Sequence, residues 1–331
     1  MDVTETARRL FAKCAMAIAI GLLFASAGAA NAQRLEMRPF EAVTLTTKQF
    51  LTGAKDGKPV TLAGELRIPG AGNDKLPAVI LIQGSGGIGA STDRWAKEIN
   101  SVGVAVFIVD SFSGRGIYNT ITDQSQLDNL AMMVDAYRAL AELARHPRID
   151  PGRIAVMGFS KGAVAAVSSS IERFRKMYGP ENVKFAAHIG LYTPCNTTFR
   201  DDDKVTGAPI RLFHGMADDW VSIQPCRDYV ARLKKNAADI TLAEYPDATH
   251  AYDTFVLKEP MKIPLAQTQR NCHLAEGDAG QVLNIATGKP FDLNDPCVER
   301  GATIAYNEAA TTATTVALKE FLTATFRLGQ K

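Results

Sequence analysis

Residues 158–162 read Gly-Phe-Ser-Lys-Gly, a G-x-S-x-G pattern whose central Ser160 has the chemistry of a nucleophile. A serine hydroxyl attacks a carbonyl well only when a base takes its proton and a carboxylate fixes the tautomer of that base. Downstream, "MADDW" at 216–220 offers Asp218 and Asp219, and "PDATHAYD" at 246–253 offers His250. Nucleophile, acid and base thus follow one another along the chain. The pentapeptide alone is a weak signal, since about one chain in ten of this length shows it by chance at average Gly and Ser usage. Its surroundings have to decide.

Those surroundings are strands and helices in alternation. "FEAVTLT" (40–46) and "PVTLAGELRI" (59–68) read as strands, and "LPAVILIQG" (76–84) is a continuous apolar run of the kind buried on both faces. A helix is expected at 91–101, a strand at 103–110, and a long helix at 124–147 that stops before a proline. "RIAVMGF" (153–159) is the next strand, and "KGAVAAVSSSIERF" continues from it as helix. Strands at 184–192, 208–215 and 240–245 follow, with "CRDYVARLKK" between the last two, and a final helix is expected over 303–326, including "TTATT" at 311–315. This alternation predicts an α/β fold with a mostly parallel sheet and helices on both faces. Ser160 then lies between a strand and a helix, and Asp218 and His250 lie in loops at the C-terminal ends of later strands, where parallel sheets gather their chemistry.

The remaining histidines offer less. His188 falls within a strand, His146 ends a helix, His214 closes the strand before the acid loop, and His273 lies in a turn-rich stretch at 258–300. An oxyanion also needs two backbone N–H donors. Lys161, directly after Ser160, supplies one, and the loop "QGSGGIG" (83–89) supplies the other from Ser85 or else Gly86. A glycine-rich loop after a strand can instead cradle phosphate, but no P-loop GK[ST] follows it.

Composition narrows the classes. The chain has 331 residues, 46% hydrophobic, with 37 Lys plus Arg against 35 Asp plus Glu, so no strong field draws it to nucleic acid or anionic lipid. Arg8 and Arg9 precede the apolar run "CAMAIAIGLLFASAGAA" and then Ala30-Asn31-Ala32, which together predict an export signal over 1–32, cleaved after Ala32. "RRLFAK" (8–13) also fits a twin-arginine route. The mature chain, 33–331, is expected to be one domain, off the membrane, in the periplasm or outside the cell. Five cysteines include Cys14 in the signal, leaving four that can pair in three ways. There is no C-x-x-C pair and the histidines are scattered, so no metal site is expected.

"VILIQGSGG", "VDSFSGRG", "IDPGRIAVMGFSKG", "HGMADDW" and "YPDATHAYD", in this order, resemble the dienelactone hydrolase family of α/β-hydrolases over about 76–255. The resemblance implies Ser160 as nucleophile, Asp218 rather than Asp219 as acid, His250 as base and Ser85 as second oxyanion donor. The founding members carry cysteine where Ser160 stands and glutamate where Gly84 stands. They also hold a substrate carboxylate with two arginines; Arg115 in "SGRG" matches one, either as an anion ligand or as a brace for its loop, and the second has no counterpart just after His250. Cys195 follows one strand and Cys226 follows the acid loop of its neighbour, which points to Cys195–Cys226 beside the site and Cys272–Cys297 as a staple of the 258–300 excursion. The reading is an exported serine hydrolase for a small ester or lactone, needing no cofactor. An acyltransferase on the same triad and a non-catalytic binding protein of the same fold are its alternatives.

Overall fold

Strands that are apolar throughout must be covered on both faces, and residues 34–329, which the computed structural model describes, meet that demand with one large sheet between helical layers. The expected export signal lies outside the described residues. In chain order the sheet is built from β1 (Arg34–Thr44), β2 (Lys58–Ile68), β3 (Leu76–Ile82), β4 (Ala105–Asp110), β5 (Ile149–Phe159), β6 (His188–Leu191), β8 (Ile210–Gly215) and β9 (Ile240–Tyr245). A two-residue strand, β7 (Thr197–Thr198), belongs to a smaller sheet. The large sheet has the order β1-β2-β4-β3-β5-β6-β8-β9, parallel from β4 to β9, with β2 antiparallel to both its neighbours.

Alternation along each strand assigns the two faces. In β3, Ala78, Ile80 and Ile82 join one apolar cluster while Val79 and Leu81 join the other. The first cluster takes up α1 (Thr47–Leu51), α3 (Asn129–Ala144), α4 (Lys161–Ser168) and α5 (Glu172–Tyr178) through residues such as Phe50, Leu140, Ala166 and Phe174. The second is covered by α2 (Ala90–Asn100) and α7 (Glu308–Phe326) through Trp95, Ile99, Leu318 and Phe326. A third, beside β8 and β9, holds Cys226 and Leu233 of α6 (Gln224–Lys235). The chain leaves β3 to one side for β4 and returns on the other for β5. That reversal opens a crevice above the carboxyl ends of β3 and β5, where the 83–89 loop and Ser160 stand.

Four expectations need correction. The helix expected from 124 begins at Asn129; residues Gln124–Gln126 form a separate 3₁₀ turn. The helix after Ser160 breaks at Ser169–Ile171, where Ser169 Oγ bonds back to Ala166 O at 2.7 Å and competes with the backbone ladder. The last helix begins at Glu308 rather than 303, because the Asn307 side chain caps it by accepting from Ala310 N. Residues Glu299–Ile304 are a strand instead, β14, paired with β10 (Met261–Thr268). The turn-rich stretch also forms β11 (Leu274–Glu276), β12 (Val282–Asn284) and β13 (Lys289–Pro290), which complete the small sheet with β7.

The excursion is tied down at several points. Both disulfides pair as expected, Cys195–Cys226 and Cys272–Cys297. Glu276, with its side chain wholly buried, takes Arg173 on one oxygen and Arg200 on the other. Asn196 Nδ2 donates to Gln269 O and Cys272 O. Cys272 and Cys297 are 25 residues apart, a loop whose closure is worth about 3.5 kcal/mol in the chain-entropy account. Cys272→Ser is therefore expected to lower the unfolding free energy by about 2–4 kcal/mol, read from urea melts under non-reducing conditions. An unchanged midpoint would show that the excursion holds without its staple.

Candidate active site

The strand-to-helix turn at 158–162 is set by how closely its backbones approach. A Cβ on Gly158 would lie 2.1 Å from Gly162 O, and one on Gly162 would lie 2.3 Å from Gln83 O, so neither position admits a side chain. Between them Ser160 takes φ 50° and ψ −116°, a conformation that costs a non-glycine residue roughly 1–3 kcal/mol. The turn is held by Ser160 N–H donating to Leu191 O at 3.0 Å and by Ala163 N–H donating to Ser160 O at 2.8 Å. The strained turn lifts the hydroxyl out of the sheet.

His250 meets it there. Its Nε2 lies 2.9 Å from Ser160 Oγ, and its Nδ1 lies 2.8 Å from Asp218 Oδ2. A carboxylate only accepts, so Nδ1 carries the proton and Nε2 turns its lone pair to the serine. Asp218 Oδ1 accepts from the N–H groups of Trp220 and Val221 at 2.9 and 2.8 Å, which fixes the carboxylate plane. Burial pushes the Asp218 carboxyl up, but electrostatic attraction to and hydrogen bonding with the His250 and His214 imidazoles outweigh it, and the group is held well below the usual carboxylate range. Asp219 faces the other way and accepts from Thr303 N–H and Oγ1. The two neighbouring carboxylates thus divide: Asp218 faces His250 and Asp219 anchors β14.

Above the crevice the loop after β3 closes with Gly87 N–H donating to Gly84 O. Residues 84–89 happen to spell G-x-G-x-x-G, yet the loop curls beside the serine: a Cβ on Gly84 would lie 3.4 Å from Ser160 Cβ. Lys161 N–H belongs to the first turn of α4, where helix N–H groups lack intrahelical acceptors. Ser85 shares with Ser160 the lining of two adjoining cavities, whereas Gly86 reaches only the smaller.

The family model for the dienelactone hydrolase family matches residues 63–262. The chain belongs to that family. As a member it is a carboxylic ester hydrolase with the α/β-hydrolase fold. Among solved structures, it is similar to a dienelactone hydrolase-like promiscuous phosphotriesterase from metagenomic libraries, at 14% identity over 88% of this chain and 98% of that one, TM-score 0.55. A structure named m3DLH matches at 15% identity over 89% and 99% of the two chains, TM-score 0.55. An α/β hydrolase from a deep-sea metagenome matches at 14% identity over 88% and 99%, TM-score 0.51. No curated protein matches the chain.

In this family member Arg115 serves as a brace. Its guanidinium forks onto buried Asp135 at 2.8 and 2.9 Å and also reaches Ser111 O and Thr44 Oγ1, which engages four of its five donors. It lines neither cavity, so of the two roles open to it, anion ligand and loop brace, the structure favours the brace. His188 is a core residue, with Nδ1 near Ala166 O and Ser169 Oγ. His214 has a role that spacing did not suggest: its Nε2 lies 3.0 Å from Val221 O and 3.4 Å from Asp218 Oδ2, adding a second imidazole to the acid. Among the described residues no group of three or more His, Cys, Asp or Glu side chains is gathered as a metal ligand set.

Two further features of the family member escaped sequence reading. Tyr192, at φ 41°, packs its ring edge-on to His250 at 4.7 Å, and its hydroxyl donates to wholly buried Asp253, which also takes Trp95 Nε1–H at 2.6 Å. The His250 ring is thereby backed by a rigid polar network, while Trp220 flanks it at 4.9 Å. The second feature is the Lys161 side chain, which is buried and donates to Gln124 O and Oε1; Gln124 in turn donates to Ser85 Oγ at 3.0 Å. One side chain thus links the two N–H candidates.

Burial pushes the Lys161 ammonium from 10.5 down to about 8, against the weaker pull of Asp128 and Asp123. With the folded value below the unfolded one, the unfolded chain binds the additional proton between about pH 8 and 10.5, and stability from this group rises with pH across that window. Urea melts at pH 7.5 and 9.5 should therefore show the wild type gaining stability relative to Lys161→Met as pH rises. A constant gap between the two proteins would show that the ammonium is not desolvated.

Proposed function

We propose that the protein is an exported serine esterase that cleaves a small carboxylic ester or lactone through Ser160, His250 and Asp218. The observation that carries the proposal is the unbroken hydrogen-bond path from Asp218 Oδ2 through His250 to Ser160 Oγ, at 2.8 and 2.9 Å, ending on a strained turn. His250 Nε2 takes the serine proton as Oγ bonds to the carbonyl carbon, and the oxyanion is received by the N–H groups of Lys161 and Ser85. The carbon–oxygen bond to the alcohol then breaks, and the alcohol oxygen leaves with the proton from His250. Water repeats the sequence on the acyl-enzyme, giving its proton to His250 and freeing the acid and Ser160. Export is supported by the two disulfides, which persist in oxidising compartments. No helix among the described residues is long and apolar enough to cross a membrane.

Serine in place of the founding cysteine agrees with Gly84 in place of the glutamate. A hydroxyl activated by His250 needs no thiolate tuning, and a side chain at 84 would press on Phe159 O, 3.0 Å from where its Cβ would sit. With p-nitrophenyl acetate as substrate, Ser160→Ala is expected to lower kcat by roughly 10⁴- to 10⁶-fold and Asp218→Asn by about 10⁴-fold. Full activity in Ser160→Ala would remove the serine mechanism.

A further inference from the structure

Ser160, Ser85 and Trp220 stand where two cavities of unlike chemistry meet. The larger, about 780 Å³, is a cleft reaching into the stapled excursion, and its size suits a sizeable ligand. Its walls carry neutral polar groups with unused hydrogen-bonding capacity: the side chains of Gln269, Gln281 and Ser222 make no hydrogen bond among the described residues, and Trp220 and Phe291 offer flat apolar faces between them. Lys48 at the exposed edge excepted, the charged side chains that line the cleft are already engaged. Arg270 pairs with Glu299, Lys161 with Gln124, and Asp128 accepts Thr47 N–H. Amides and hydroxyls both donate and accept, as sugar hydroxyls do, and aromatic planes suit the C–H faces of a sugar ring. The smaller cavity, about 270 Å³, is lined chiefly by apolar groups, among them Ile121, Phe159, Val256, Ile263 and Ile304.

The position of His250 orients an ester across this junction. It lines the small cavity and not the cleft, and Trp220 lines both while flanking its ring. The proton on His250 has to reach the leaving oxygen, so the leaving alcohol belongs on the side that His250 faces. Lys161, whose N–H is the proposed first oxyanion donor, lines the cleft, which leaves that side of the junction for the acyl group. We propose that the substrate is an ester of a polyhydroxylated, sugar-type acid with a short apolar alcohol: the acid in the cleft, the alcohol in the small pocket. This rests on the serine-esterase reading above.

The test compares kcat/KM on the purified full chain for ethyl galacturonate, ethyl cyclohexanecarboxylate and 6-O-acetylgalactose, with p-nitrophenyl acetate as control. Ethyl galacturonate is expected to exceed both others by at least about tenfold, since unmet polar groups in a site penalise a ligand lacking hydroxyls. Gln269→Leu combined with Gln281→Leu, both partly exposed positions that can change without disturbing the core, should cut the galacturonate-to-cyclohexanecarboxylate ratio about tenfold. Equal rates on the two ethyl esters would overturn the polar role of the cleft. Preference for the acetylated sugar would overturn the orientation. Inactivity on p-nitrophenyl acetate as well would instead bring down the esterase reading beneath both.

Discussion

The approach of three backbone segments to within van der Waals contact at Gly158, Gly162 and the end of β3 is the constraint on which the site depends. Where a Cβ would sit 2.1 Å from a carbonyl oxygen, nothing but glycine fits, and the chain between the two glycines can turn only by placing Ser160 at φ 50°. The strain is held by the sheet on one side and α4 on the other. Neighbouring strands end at the same level, so the loops after β8 and β9 bring Asp218 and His250 to the serine without any long-range adjustment. A small local crowding thus fixes the geometry of a site whose members lie 90 residues apart in sequence.

Electrostatics then settles the protonation states. Asp218 loses its hydration, but two backbone N–H groups and two imidazoles replace it, and the balance favours the charged form. Lys161 shows the opposite balance, because one glutamine compensates its ammonium less fully than water did. A carboxylate held charged in this way suits the role proposed for Asp218, orienting His250 and stabilising its developing imidazolium. Lys161 is tied to the site through its link to Gln124 and Ser85, and the proposed mechanism uses its backbone N–H, not its charge.

Much of this was legible in the sequence because the responsible signals are local. Apolar runs ending in glycine marked the parallel strands, and the ordered Ser, Asp and His fell after the right ones. Asp218 could be told from Asp219 only by resemblance; the structure gives the physical reason, since Asp219 is occupied by Thr303 from a strand 84 residues away. The excursion resisted reading for a similar cause. Thr197–Thr198 is too short to show a period, and its partner Leu274–Glu276 is remote, so neither announces a sheet. Boundaries failed where a side chain decided them, as at Asn307 and Ser169. Arg115 looked the same as a ligand or a brace until Asp135, twenty residues on, closed its fork.

The excursion also explains how a family fold acquires its own cleft. The match to the family ends at 262, and much of the cleft wall lies beyond it, held by a disulfide and by the Arg–Glu–Arg cluster at Glu276. In the proposed reading the chemistry belongs to the strained turn and its partners on the sheet, while part of the cleft wall comes from the stapled addition. The claim beneath both is that Ser160 is the attacking atom's residue. Treatment with a fluorophosphonate, followed by intact mass and peptide mapping, addresses it most directly. One phosphonyl group per chain is expected, on Ser160, and none on Ser160→Ala. An unlabelled wild type, or equal labelling of the variant, would contradict it.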